Sequence, residues 1–183
     1  MGRRQDFFAL KQLLRALGIR RHPFSADGMH SLFRAQPERW LETLVCEDVT
    51  RVEAALDPRF AYAQVLAKAG DDHGILDSLT LTRSARLAIL GLKTTEVLNL
   101  PLQAAEYWLR IQRHLVQGDI ARYGYFPGIE LQTTPPIVYF VTPALRFHPA
   151  TDALLRALSP QVEIVRVGLV ENWRRGIRVV LRQ

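Results

Sequence analysis

The sequence predicts one mixed α/β domain, a central β-sheet flanked by helices. Three observations predict it. Ile75–Thr82 alternates apolar and polar residues, and Leu87–Lys93 after the tight Arg83–Arg86 connection is almost continuously apolar, so the two read as a β-hairpin whose second strand is buried on both faces. A long helical pattern follows Asn99-Leu100-Pro101, with Pro101 suited to a first helical turn. Gln161–Val167 and Gly176–Leu181 both alternate and look like a closing antiparallel pair, joined through Glu171–Arg175.

Before the hairpin, Asp6–Leu17 carries Phe7, Phe8, Leu10, Leu13, Leu14 and Leu17 as a helical apolar face, ended by Gly18, with a loop over Ile19–Gly28. A second helix is expected from about His30 to Val45, broken near Gln36-Pro37. Trp40, Leu41, Leu44 and Val45 mark the inner face of its second part. Val49–Leu56 fits a helix end or a loop. Phe60–Ala67 alternates in part and reads as a strand, and Lys68–Gly74 as a turn. In the helix after Pro101, the expected apolar stripe is Leu102, Ala105, Leu109 and Leu115 with Trp108 and Ile111, and Gly118 stops it. Ile137–Thr142 is strongly β-prone. Thr151–Leu158 reads as a helix capped by Thr151. The order helix, strand, strand, strand, helix, strand, helix, strand, strand calls for a mixed sheet and not a doubly wound parallel one.

At 183 residues and 48% apolar, the chain suits one domain with a sizeable core. Residues 1–36 read as an N-terminal helical extension and 37–183 as the core. The formal charge of +6 favours contact with DNA or another nucleic acid. A single cysteine, Cys46, can form neither an internal disulfide nor a zinc cluster, so a reducing cytoplasm is expected. No apolar run is long enough for a membrane span, and the first residues lack a signal-like core, so no membrane partner is expected. Oligomeric state cannot be read. No G-x-S-x-G, P-loop or G-x-G-x-x-G occurs, which leaves serine-hydrolase, nucleotide and dinucleotide readings without support.

The informative stretch is Asp77 to Tyr107. Asp77 sits mid-strand, where a charge is costly unless paired or metal-bound. Lys93, sixteen residues on, ends the next strand and can meet it across the hairpin. Gln103 and Tyr107 stand at i and i+4 on one helix face.

Gly74-Ile75-Leu76-Asp77-Ser78-Leu79, then Leu87-Ala88-Ile89-Leu90-Gly91-Leu92-Lys93, then Gln103-Ala104-Ala105-Glu106-Tyr107-Trp108 resembles the PD-(D/E)xK nuclease superfamily over about Pro37–Leu115. The resemblance implies a restriction-endonuclease-like α-β-β-β-α-β core. It also implies Mg²⁺ or Mn²⁺ as cofactor and metal-dependent phosphodiester hydrolysis of DNA. Asp77 would hold the metal and Lys93 would orient or polarise the attacking water. Gln103 and Tyr107 would support the site, and Glu42 matches an acid often carried on the first core helix. The pattern departs at its centre, with Gly91 where an acid is expected. Three readings follow. The chain binds without cutting; another acid such as Glu106 or Glu96 replaces the ligand; or the glycine is an engineered or natural loss of function. Beside the impaired nuclease stands a second class of function, a non-catalytic module binding nucleic acid or protein through a basic surface.

Other polar clusters have plainer readings. Asp71, Asp72 and His73 fit a solvated loop. His148 and Asp152 fit capping or packing, and Cys46 fits buried packing. Trp173, Arg174, Arg175 and Arg178 suit phosphate and base contact as well as they suit a salt-bridged turn. Arg110, Arg113 and His114 add positive charge to the long helix.

Overall fold

The computed structural model describes residues 2–25, 27–69 and 72–183, with side chains except those of 2–5, 68–69 and 72–73. Asp71 and the side chains of Asp72 and His73 therefore lie outside the described residues. The helices are α1 (Gly2–Arg20), α2 (Ser31–Arg34), α3 (Pro37–Glu47), α4 (Leu100–Val116), α5 (Asp119–Arg122) and α6 (Thr151–Arg156). The strands are β1 (Tyr62–Ala69), β2 (Asp72–Leu81), β3 (Leu87–Leu92), β4 (Ile137–Pro143), β5 (Glu163–Leu169) and β6 (Val179–Arg182). They form one six-stranded sheet in the order of the chain. β1, β2 and β3 run antiparallel, β3, β4 and β5 parallel, and β6 returns antiparallel to β5. From α3 to β4 the order is α-β-β-β-α-β, with the one-turn α5 added between α4 and β4. The mixed sheet flanked by helices is the architecture the sequence predicts.

β3 explains the two-layer core. All six of its residues are buried. Ala88, Leu90 and Leu92 pack against Trp40, Leu41 and Val45 of α3 on one face. Leu87 and Ile89 pack against Ala104, Trp108 and Ile111 of α4 on the other. A strand covered on both sides can be apolar throughout, and this one is. α4 lies in the crossover between parallel β3 and β4, and α6 in that between β4 and β5, as parallel pairing demands. Gln36 adopts φ 43°, and Pro37 starts α3, which accounts for the break between the second and third helices. No helix of the described residues is long and apolar enough to cross a membrane.

Several boundaries and faces differ from expectation. The β1–β2 hairpin is longer: β1 runs to Ala69 and β2 begins at Asp72, in place of a turn over Lys68–Gly74. The α4 stripe turns away from Leu102 and Leu109, each 61% exposed, toward Leu100, Ala104, Tyr107, Trp108 and Ile111. At about 100° per residue, Leu102 and Leu109 fall opposite Ala104 and Ile111. Leucines stand on both sides of this helix, and the sheet selects the face that carries the tryptophan. Thr151 does not cap α6. It is the first helical residue and buried, while His148 Nδ1 accepts the Ala150 N–H at 3.0 Å. His148 also approaches Glu96, and Asp152 pairs with Arg166 at 2.6 Å, so His148 and Asp152 serve different partners.

α1 exposes Phe7, Phe8, Leu10, Leu13 and Leu14. Deleting residues 1–18 is therefore expected to lower the unfolding free energy by less than about 1 kcal/mol. Leu90→Ala, at a fully buried position, should cost about 2–5 kcal/mol. Urea denaturation of both variants checks this; a comparable loss in the two would assign α1 to the core.

Candidate functional site

The site forms where the β2–β3 hairpin splays. The two strands pair from Leu81↔Leu87 to Ser78↔Leu90. Beyond that rung the Asp77 side chain takes over, its Oδ2 accepting the Leu92 N–H at 2.9 Å. The carboxylate thus does the work of a missing ladder carbonyl. On the other side, Gln64 falls opposite Asp77 between the Ala63↔Ser78 and Val65↔Leu76 pairs, and it adopts φ 54°. A left-handed residue inside a strand kinks it. Leu76 and Leu79 both enter the α4-side core, so the alternation of β2 slips by one residue around Asp77. This irregularity half-buries an acid at a strand that reads as regular in sequence.

Gly91 stands next to this point, and the space a side chain would need there is filled. Gly91 pairs in register with Phe140 of β4. A Cβ on Gly91 would lie 2.6 Å from Phe140 Cε1 and 3.0 Å from Cδ1. Real Cβ atoms do not approach ring carbons that closely, and Phe140 is 1% exposed, with little room to turn. The glycine lets the ring lie on the β3 backbone.

Lys93 lies beyond the strand end. With Glu38, Thr95, Asn99, Gln103 and Glu106 it lines an open cleft of about 520 Å³ between the start of α3 and the start of α4. Gln103 Nε2 donates to the Tyr107 hydroxyl at 2.7 Å, so these two meet as their spacing predicts. Tyr107 is buried, and burial followed by the nearby Asp77 charge pushes its hydroxyl up to about 12. Glu42 faces the same region from α3, hydrogen-bonded to Arg39 at 3.2 Å and to the Gln64 amide. Glu106 lines the cleft but is bonded to Arg110 at 2.8 Å, and Glu96 turns to His148.

Burial raises the Asp77 carboxyl; the Leu92 N–H, Lys93 and Arg39 oppose that, and Glu38 adds to it. Burial also raises Glu42, against Arg39 and with Asp77. Glu38 is desolvated too, yet its carboxyl ends below the usual range, because Thr94 donates to it through both N–H and hydroxyl and Lys93 is near. Cys46 donates toward Ser78 at 3.6 Å, and burial raises its thiol, the opposite of a reactive thiolate.

The described residues do not assemble the set of acids that the resemblance implies for a divalent metal. Asp77 is engaged by Leu92, Glu42 by Arg39 and Gln64, and the space beside Gly91 is occupied by a ring. Among the described residues, no group of three His, Cys, Asp or Glu could hold a metal ion. Sequence reasoning missed Glu38, Arg39, Gln64 and Thr94. Glu38 sits four residues before Glu42 on the same helical face, a signal that was available; the Gln64 kink carries none. The C-terminal basic-aromatic cluster comes apart. Trp173 is core, Arg174 stacks on rings, and Arg175 and Arg178 are exposed.

No known family model matches the chain, and no curated protein matches it. Among solved structures it is similar to a repair endonuclease from Pyrococcus abyssi, at 16% identity over 69% of this chain and 45% of that one, with a TM-score of 0.46. It is also similar to EndoMS in complex with dsDNA (16% identity, 72% and 44% covered, TM-score 0.45) and to EndoMS in apo form (15%, 69% and 44%, TM-score 0.36). The chain spans less than half the length of each.

The raised Asp77 carboxyl has a consequence for stability. A carboxyl whose folded pKa lies above its unfolded value favours the fold below the unfolded pKa, and loses that contribution as pH rises through the folded one. Above its folded pKa the ionised Asp77 therefore costs stability. Asp77→Asn keeps an oxygen for the Leu92 N–H and removes the charge. It should raise the thermal midpoint at pH 7.5, with the gain shrinking as pH falls through the carboxylate range. Thermal melts across pH check this; destabilisation at pH 7.5 would show that attraction to Lys93 and Arg39 wins over burial.

Proposed function

We propose that this chain is a PD-(D/E)xK nuclease-like protein that has lost metal-dependent cleavage and contacts DNA through its basic surface. The observation that carries the reading is the Phe140 ring seated where a side chain at position 91 would go. An acid there cannot be added to this packing without moving a core aromatic, so the departure at Gly91 is built into the fold. The α-β-β-β-α-β order, Asp77 across the hairpin from Lys93, and Gln103 bonded to Tyr107 support the nuclease-like part. The charge of +6 supports the nucleic-acid part. A second reading, a protein-interaction module, has the exposed apolar face of α1 in its favour. Absence of DNA binding at low salt would favour that one.

Two outcomes test the main reading. The chain should not cleave plasmid or single-stranded DNA with Mg²⁺ or Mn²⁺; robust cleavage abolished by Asp77→Ala would overturn it. Gly91→Glu alone should destabilise by about 1–3 kcal/mol through overpacking. Gly91→Glu combined with Phe140→Ala makes room for the acid, and should bind Mn²⁺ in calorimetry where the parent does not. A folded double variant with no added metal affinity would count against Asp77 and position 91 as a metal pair.

A further inference from the structure

A second pocket, of about 430 Å³, opens on the α3 side of the same sheet end. Thr94 and Thr95 after β3, Pro143 at the end of β4, and Glu171, Trp173 and Arg174 after β5 line it. It therefore sits outside the carboxyl ends of three parallel strands, where open α/β sheets characteristically bind ligands. Arg34 and Arg146 complete the wall.

Arg174 is the unusual member. Its guanidinium lies over Trp173, Phe33 and Trp40, with ring centroids 4.4, 5.3 and 5.4 Å away. Its Nε is buried without a hydrogen-bond partner, and among the described residues no carboxylate forms a salt bridge with it. Arg21 is close enough to repel it, and Glu38 close enough to attract it weakly. A guanidinium held among three rings has lost much of its rotamer freedom in advance, and its planar fork matches the oxygens of a phosphate. The acid in the wall, Glu171, is held by Arg146 at 3.8 Å, and Glu38, outside the wall, by Thr94. The wall therefore keeps an excess of positive charge facing open space.

We propose that this pocket is a phosphate subsite, with Arg174 as its fixed donor and Arg34 and Arg146 closing over the anion. Thr95 lines both this pocket and the Lys93 cleft. A phosphate seated here would thus anchor a DNA strand running past Lys93; the strand as its source rests on the function proposed above, the phosphate chemistry does not.

The test compares arginines of equal charge. Binding of a fluorescein-labelled DNA oligonucleotide should weaken about tenfold in Arg174→Leu, the loss of one charge-assisted contact. The slope of log affinity against log salt should fall by about 1. Arg175→Ala and Arg178→Ala, in the same segment but outside the pocket, should cost threefold or less. Equal losses in all three variants, or none in Arg174→Leu, would overturn the site. Should Arg174→Leu fail to fold, Arg34→Ala and Arg146→Ala, both exposed, must each weaken binding severalfold or the proposal falls. Inorganic phosphate supplies the other arm. Thermal stabilisation by millimolar phosphate that is lost in Arg174→Leu, without oligonucleotide binding, would keep the pocket but assign it to a free phosphate. Neither readout involves Asp77 or position 91, so failure of this site and failure of the nuclease-like reading give different results.

Discussion

An aromatic ring lying on a bare stretch of backbone governs this molecule. Phe140 needs the absence of a side chain at Gly91, and β3 needs Phe140 to close its α4-side surface there. Interiors are packed nearly as densely as organic crystals, so a glycine in a buried strand either leaves a void or is filled by a neighbour. Here the neighbour is the residue in register on the adjacent parallel strand. The same contact that completes the core excludes a carboxylate from the position at which a metal site of this pattern would need it. Packing and chemistry are decided by one pair of residues.

The mid-strand acid has a structural duty. Asp77 caps the Leu92 N–H just where β2 parts from β3, and Gln64 opposite it bends β1 in the left-handed region. Glu42 then holds Gln64, and Arg39 holds Glu42. The polar chain from α3 to the hairpin is satisfied from within, which suits a buried network better than a half-filled one. Its cost is desolvation, visible in the raised carboxyls of Asp77 and Glu42. Asp77 and Glu42 thus help to hold the splayed strands together.

Much of the fold was legible because its signals are local. β3 is a run of apolar residues of strand length, and Gln36-Pro37 and Asn99-Leu100-Pro101 punctuate the helices. Asp77 and Lys93 could be placed near each other because a hairpin fixes register over short separations. The face of α4 was not legible, since leucines lie on both sides of it and only the sheet chooses. Nor was the meaning of Gly91. In sequence it is a departure from the resemblance; the residue that fills its place, Phe140, arrives on a strand beyond an entire helical crossover. Arg174 was likewise indistinguishable from Arg175 and Arg178 until Phe33 and Trp40, from the second and third helices, came to stack on it.

Charge is divided unevenly across the carboxyl end of the sheet, and the division separates two jobs. Around Asp77 the carboxylates of Glu38 and Glu42 stand against Lys93 and Arg39, so that region offers a polyanion little net attraction. A working cleavage site of this type would rely on a metal to reverse that balance. Across the Thr94–Thr95 turn the balance changes sign, with Arg21, Arg34, Arg146 and Arg174 gathered against Glu171 and the already bonded Glu38. A strand drawn to this surface by its phosphates would be held by the second region and only brushed by the first. On the proposed reading, such a strand would be bound without its backbone being presented for attack.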